Sequence, residues 1–362
     1  MILKSIELQN FRNYKLESIS FGDKTNIIYG QNAQGKTNIL EACYVSGTSR
    51  SHKGSRDREM IRFGEEEAHI KATVQRSSST QTIDIHLKKG RKKGIAINRV
   101  PVRRAVELFG ILNIVFFSPE DLNIIKNGPN MRRRFMDAEL CQLDKIYLSD
   151  LGRYNKIITQ RASLLKDIYY NPGLSDTLEV WDRQLVEYGS RIINRRKKFI
   201  EELAPVILDI HSRISGGREE LKISYEPNVS EEAFEEELFN ALDRDKRMAQ
   251  TSVGPHRDDV SFLVDGADIR KYGSQGQQRT CALSLKLSEI HIVEKMIRET
   301  PVLLLDDVLS ELDSARQEYL LQSLSGTQTI ITCTGMDEFV KNHFEADRVF
   351  EVTDGIVSDM KG

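Results

Sequence analysis

Residues Gly30, Gln31, Asn32, Ala33, Gln34, Gly35, Lys36 and Thr37 fit the pattern GxxxxGK[ST]. An apolar run, Thr25 to Tyr29, precedes them, and helical pattern follows from about Lys36 to Tyr44. Strand, glycine turn and helix in that order make a phosphate-binding loop. Gly30 and Gly35 let the backbone turn so that successive N–H groups point into one nest for phosphate oxygens. Lys36 places a cation between the β- and γ-phosphates, the Thr37 hydroxyl suits magnesium, and the helix N-terminus adds its positive end. The expected ligand is a nucleoside triphosphate with Mg2+.

Such a loop needs a carboxylate strand to hold the metal. Pro301 to Asp307 read PVLLLDD, an apolar strand ending in two acids. Asp306 is the expected magnesium partner, and Asp307 stands where a base orients the attacking water. A third constellation, Ser274, Gln275, Gly276, Gln277 and Gln278, lies just before a long helical pattern. A serine hydroxyl, a glycine N–H and a helix start all donate toward an anion. The plain alternative is a polar N-capping turn.

These residues need a scaffold, and the hydrophobic pattern supplies one. Ile2 to Leu8 and Thr25 to Tyr29 read as strands, as do His69 to Gln75 and Thr82 to Leu87, an antiparallel pair joined by the tip Arg76 to Thr80. Ile111 to Phe117 is a buried strand that stops at Ser118-Pro119, a helix start. Glu120 to Asp209 is mostly helical, interrupted at Asn171-Pro172-Gly173, and Glu231 to Arg247 predicts a further helix. Strand character returns at Leu221 to Tyr225 and Val260 to Val264, then alternates with helix through Val302 to Leu305 and Thr329 to Thr332. The expected fold is α/β: an ATPase lobe made of residues 1–118 and 246–362, a mostly helical lobe, 119–245, inserted between them, and no long coiled coil.

Of 362 residues, 39% are hydrophobic and 29% charged, with net charge −2 and an isoelectric point near 6.4. A protein that only coats nucleic acid is basic overall, so any DNA surface must be a local patch. Lys88, Lys89, Arg91, Lys92 and Lys93 are the first choice, because five of six consecutive positions are cationic. Arg99 with Arg103-Arg104, Arg132-Arg133-Arg134 and Arg195-Arg196-Lys197-Lys198 are further clusters, each also readable as a solvated face. His256 and Arg257, near the Ser274 turn in sequence, face the same ligand or form a structural turn. Cys43, Cys141, Cys281 and Cys333 are too scattered for zinc and fit free thiols in a reducing cytoplasm. No apolar run approaches the roughly 18 residues of a membrane span, so a cytoplasmic protein is expected.

The order of phosphate loop, long insertion, Ser274 turn, acidic strand and Ser310-Glu311-Leu312-Asp313 is that of ABC-type ATPases. Leu8 to Tyr14 (LQNFRNY), Phe117 to Leu122 (FSPEDL), Gly128 to Asp137 (GPNMRRRFMD), Ser252 to Asp259 (SVGPHRDD) and SQGQQRT resemble the RecF family, over most of the chain. SMC proteins would carry hundreds of residues of heptads. Transporter ATPases would place a histidine after the last core strand, where this chain has Thr332-Cys333-Thr334. A monomeric P-loop kinase would leave the Ser274 turn without a role. The resemblance implies that Ser274 to Gln278 act in trans, closing over the γ-phosphate of ATP bound by a second subunit. It places Ser310 and Asp313 in a D-loop at the seam of an ATP-dependent homodimer, and Arg12 at the nucleotide. It further implies binding to gapped or junction-containing duplex DNA, and cooperation with RecR and RecO to help RecA replace single-strand-binding protein. Asp307 stands where transporters commonly have glutamate, so hydrolysis is expected to be slow.

Overall fold

The computed structural model describes residues 1–324, 326–335 and 346–360. The chain opens with β1 (Ile2–Phe11), β2 (Tyr14–Ser20), β3 (Thr25–Tyr29), α1 (Lys36–Thr48) and α2 (Asp57–Met60). Next come β4 (Glu67–Gln75), β5 (Thr80–Lys88), β6 (Gly94–Ile97), β7 (Val100–Pro101) and β8 (Ile114–Phe117). A helical stretch follows: α3 (Leu122–Lys126), α4 (Pro129–Leu143), α5 (Lys145–Tyr170) and α6 (Leu178–Ser215). Then come β9 (Leu221–Glu226), α7 (Phe234–Asn240), α8 (Leu242–Met248), β10 (Asp259–Val264), β11 (Ala267–Asp268), α9 (Ile269–Tyr272) and α10 (Gln275–Ile297). The described chain closes with β12 (Val302–Asp306), α11 (Ser314–Ser323), β13 (Thr329–Cys333), β14 (Ala346–Thr353) and β15 (Ile356–Asp359).

Two compact units result, one from Met1–Asp121 with Leu285–Gly362, the other from Leu122–Ser284. The first holds a six-stranded sheet in the order β15-β14-β3-β13-β12-β8, parallel except for β15. Its strands β12 and β13 are buried almost throughout, as crossover-covered parallel strands must be. The register Cys333↔Tyr29 and Thr332↔Asp306 brings the carboxyl ends of β3, β13 and β12 to one edge. That edge is where open α/β sheets bind ligands. A second sheet, antiparallel, runs β2-β1-β4-β5-β6-β7. Along β4 the side chains of Ala68, Ile70, Ala72 and Val74 are buried while Glu67, His69 and Lys71 lie on the other face, the period-two pattern of a half-buried strand. The buried face joins Ile39, Leu40 and Cys43 of α1 and Ile114 and Val302 in one apolar core.

In the second unit α5 and α6 are joined through a short 3-10 segment, Pro172–Thr177, at the interruption the sequence marks. Helix α6 buries Leu185, Ile192, Phe199, Leu203, Ile207 and Ile210 along one stripe. The single helix expected over 231–247 is two short ones, α7 and α8, meeting at Ala241. Ala241, at φ −81° and ψ −6°, separates them, and Asp245 of α8 is fully buried against Arg161 at 2.7 Å. Residues 246–284 fold with this unit, because β10 pairs along its whole length with β9. All four cysteines are buried thiols outside any disulfide. Among the described residues no helix is long and apolar enough to cross a membrane.

Candidate nucleotide site

Strand β3 runs out at Tyr29 and the chain turns through Gly30 at φ 151° and Gly35 at φ 118°. A Cβ at residue 30 would lie 2.4 Å from the Val352 carbonyl oxygen, and one at residue 35 would lie 2.4 Å from Asn13 Nδ2 and 2.7 Å from the Tyr14 hydroxyl. Glycine is required at both places by conformation and by space. Lys36 opens α1 and is buried, its Nζ donating to the carbonyls of Gly30 at 2.6 Å and Gln31 at 2.9 Å. Burial lowers its pKa, against the opposing charges of Asp307, Cys333 and Asp306. A partly desolvated cation under a glycine loop is a strong seat for phosphate charge.

The next residue reaches across the sheet. Thr37 Oγ1 donates to Asp306 Oδ1 at 2.9 Å, and Thr332 Oγ1, from the strand between them, donates to the same oxygen at 2.7 Å. Thr37 and Asp306 are 269 positions apart in the chain, so the fold has assembled this pair. One hydroxyl and one carboxylate oxygen fit Mg2+, which takes few protein ligands and completes its shell with phosphate and water. Among the described residues no group of three His, Cys, Asp or Glu is placed to hold a metal ion. A Mg2+ ion held there would supply charge that draws electron density off the phosphates. Asp307 holds φ 53°, unusual for a side-chain-bearing residue, and its N–H donates to Thr332 Oγ1 at 3.1 Å. The Ser310 hydroxyl donates to the Asp307 carbonyl at 2.8 Å.

The turn between β1 and β2 props the loop from outside. Asn13 Nδ2 donates to the Gln34 carbonyl at 2.9 Å, Asn38 Nδ2 donates to Asn13 Oδ1 at 2.8 Å, and the Tyr14 hydroxyl donates to the Gly35 carbonyl at 3.0 Å. Neither Asn13 nor Tyr14 was singled out from sequence, although both belong to the LQNFRNY run that was. Arg12 lies beside them but points at protein. Its Nε and Nη2 hold Glu41 at 2.7 and 2.6 Å, Nη2 also reaches Ser55, and Nη1 reaches the Glu59 carbonyl. Burial alone would raise the Glu41 carboxyl, yet hydrogen bonds from Arg12 and Ser51 bring it below its ordinary range. Arg12 thus makes four hydrogen bonds within the chain.

The Ser274 turn belongs to the second unit. Ser274 N–H donates to Gln277 Oε1 at 2.9 Å and Gln277 N–H donates to Ser274 Oγ at 3.2 Å, a capping box at the start of α10. Gln278 Nε2 anchors the turn to the Ile269 carbonyl at 3.1 Å, while Ser274 and Gln275 are exposed. Asp313 caps α11 by accepting from Arg316 N–H at 3.0 Å and pairs with the same arginine's side chain. The basic tip is partly neutralised: Lys88 pairs with Glu67 at 2.9 Å, Lys89 with Glu66 at 3.0 Å and Lys93 with Asp57 at 2.7 Å. Arg91 and Lys92 are exposed. Arg132 and Arg196 are buried in ion pairs with Asp259 and with Asp137 and Asp258.

Parallel sheets with a phosphate loop serve many ATPases and kinases, but one interrupted by a unit that closes on a capped Ser-Gln-Gly turn defines a narrower class, the ATPase heads of ABC and SMC type. In fold the chain matches the Smc head of a solved complex with the C-terminal winged-helix domain of ScpA, at TM-score 0.58 and 16% identity over 99% of this chain and 97% of that one. The RecF/RecN/SMC N terminal domain family matches residues 2–358. The DNA replication and repair protein RecF of Agathobacter rectalis is 67% identical over 357 residues, 99% of each chain. A solved structure of the recombination mediator protein RecF with ATP, in the RecFOR pathway, superposes at TM-score 0.93 with 40% identity, covering 99% of this chain and 97% of that one. The chain belongs to the RecF family.

Proposed function

We propose that this protein is an ATP-dependent switch of DNA gap repair. It binds ATP through the loop Gly30 to Thr37, with Mg2+ at Thr37 and Asp306, and dimerises on gapped or junction-containing duplex DNA. It then works with RecO and RecR to help RecA displace single-strand-binding protein. The carrying observation is the Thr37–Asp306 contact beside a buried Lys36, which joins the two halves of a triphosphate site across the sheet. The chain's 67% identity to the DNA replication and repair protein RecF of Agathobacter rectalis supports the rest.

The chain's own groups divide the work. Lys36 and the loop N–H groups orient the triphosphate and offset its charge. Asp307, held by the Thr332 bond to its N–H, accepts a proton from the attacking water. Asp307→Asn keeps the Asp306 position intact and removes that acceptor. Turnover should fall at least tenfold while ATP binding persists, trapping a dimer with ATP. Normal hydrolysis by this variant would move the base elsewhere.

Ser274 accepts the Gln277 N–H with its oxygen and keeps its O–H for donation to a γ-phosphate held by a second subunit. That role exists only in a dimer. Ser274→Arg should bind ATP with nearly normal affinity, remain monomeric with ATP and lose DNA-stimulated hydrolysis. Light scattering and nucleotide titration on one preparation test this. A variant that dimerises normally with ATP would sink the composite site.

A further inference from the structure

One face of α4 presents Asn130, Arg133 and Arg134 at helical neighbour spacing, and with Tyr154 and Asn155 of α5 and His256 these residues line a cavity of about 190 Å3. Its back wall is fixed in polarity. His256 Nε2 donates to the Thr251 carbonyl at 3.0 Å, and Nδ1 lies 2.8 Å from the Tyr154 hydroxyl. Burial pushes the His256 pKa down to about 4, with Arg257 and Arg133 adding to the shift, so the imidazole is neutral near pH 7 and Nδ1 accepts from the tyrosine. Arg196, also at this wall, has its charge taken up by Asp137 and Asp258. Asp137 Oδ1 in turn already accepts from Tyr147 and Arg196.

Two arginines are differently placed. Arg133 spends Nη1 on the Asp258 carbonyl at 2.7 Å, and Arg134 is exposed. Their charge is in excess of the acids that line the cavity, and two side-chain amides stand beside it. The volume lies below the roughly 300 Å3 at which small-molecule pockets begin. It suits a single tetrahedral anion gripped by guanidinium forks.

We propose that Arg133 and Arg134, with the amides of Asn130 and Asn155, seat one backbone phosphate of duplex DNA. This rests on the DNA-binding reading above and gives it a place. A recess that offers two arginines and two amides beside Leu151, Ile192 and Pro255 reads no base sequence, which is what a backbone-positioning contact requires. The Lys88 to Lys93 tip, longer as a run of charge, has Lys88, Lys89 and Lys93 already paired with acids.

The test is duplex binding in the presence of a slowly hydrolysed ATP analogue, titrated over salt, for the unmodified chain, Arg134→Gln, Arg133→Gln with Arg134→Gln, and Arg91→Gln with Lys92→Gln. The paired α4 variant should bind about tenfold more weakly, and its slope of log K against log salt should shrink by about 0.9, the value for one lost phosphate contact. Arg134→Gln should give part of both effects, and being an exposed site it should leave melting temperature and ATP affinity unchanged. An unchanged slope in the α4 variants, or a slope change confined to the Arg91 and Lys92 variant, overturns the assignment. So does a saturable, Arg134-dependent heat when pyrophosphate alone is titrated into a Lys36→Ala chain, which would mark a site for free anions. Failure of the unmodified chain to bind duplex at all would instead refute the functional reading on which the seat depends.

Discussion

Lys36→Ala should abolish measurable ATP binding while leaving the protein folded. The ammonium is buried and held by two loop carbonyls, and it is the cation that the β- and γ-phosphates would meet inside the loop. Removing one partner of a desolvated charge pair costs about 3–5 kcal/mol, so affinity should fall by two orders of magnitude or more. Without nucleotide the balance differs. The substitution forfeits two hydrogen bonds but also removes a charge that burial disfavours, so the melting temperature of the free protein should move little. The unmodified protein should gain about 2.7 kcal/mol at a ligand concentration a hundred times Kd, whereas the variant should gain almost nothing. Lys36→Arg keeps the charge on a wider, planar group, so binding should survive in part and turnover should drop. Calorimetry and thermal melting with and without ATP decide the matter, and tight ATP binding by the alanine variant would remove Lys36 from the site.

Why the loop was readable and its supports were not is a matter of distance along the chain. Gly30, Gly35, Lys36 and Thr37 are contiguous, and each is dictated by conformation or charge at its own position. Asp306 was readable because an apolar strand that ends in acids has few other uses beside such a loop. The hydrogen bonds of Asn13 and Tyr14 to the Gln34 and Gly35 carbonyls depend on where a hairpin turn lands, which no local pattern encodes. The pairing of the Lys88 to Lys93 run is hidden from the sequence for a related reason. Its acids come from the facing strand, from Glu66 just before it and from α2, with Glu67 directly opposite Lys88 in the register. The helical runs mislead through periodicity: in Arg195 to Lys198 only Arg196 turns inward, and in Arg132 to Arg134 Arg132 is buried while Arg134 is exposed. Residues 246–284 look like the return to the ATPase lobe in a linear reading. Pairing of β10 with β9, a contact between segments more than thirty residues apart, puts them in the inserted unit.

The inward-facing Arg196 carries the second large effect. Its guanidinium, 2% exposed, donates to the Tyr147 hydroxyl at 3.0 Å, the Pro255 carbonyl at 2.6 Å, Asp258 at 2.9 Å and Asp137 at 2.8 Å. Asp258 is itself fully buried and also accepts from Tyr225 and from the Asn228 N–H. One side chain on α6 thereby ties α4, α5, β9 and the turn before β10 to each other. Arg196→Met keeps the aliphatic stem but strands the Asp258 charge, so the second unit should lose about 3–5 kcal/mol. Burial already raises the Asp258 pKa above its ordinary value, with Arg196 opposing. Taking Arg196 away raises it further. A carboxyl that binds its proton more tightly when folded loses stability as pH rises above the unfolded value, so the deficit should widen from about pH 4 upward. Arg196→Met combined with Asp258→Asn should recover much of the loss, because the stranded charge is gone. Urea unfolding followed at Trp181, the only tryptophan and a residue of α6, reports on this unit directly. A single variant within 1 kcal/mol of the unmodified chain, or a double variant no better than the single, would show that packing alone holds these helices.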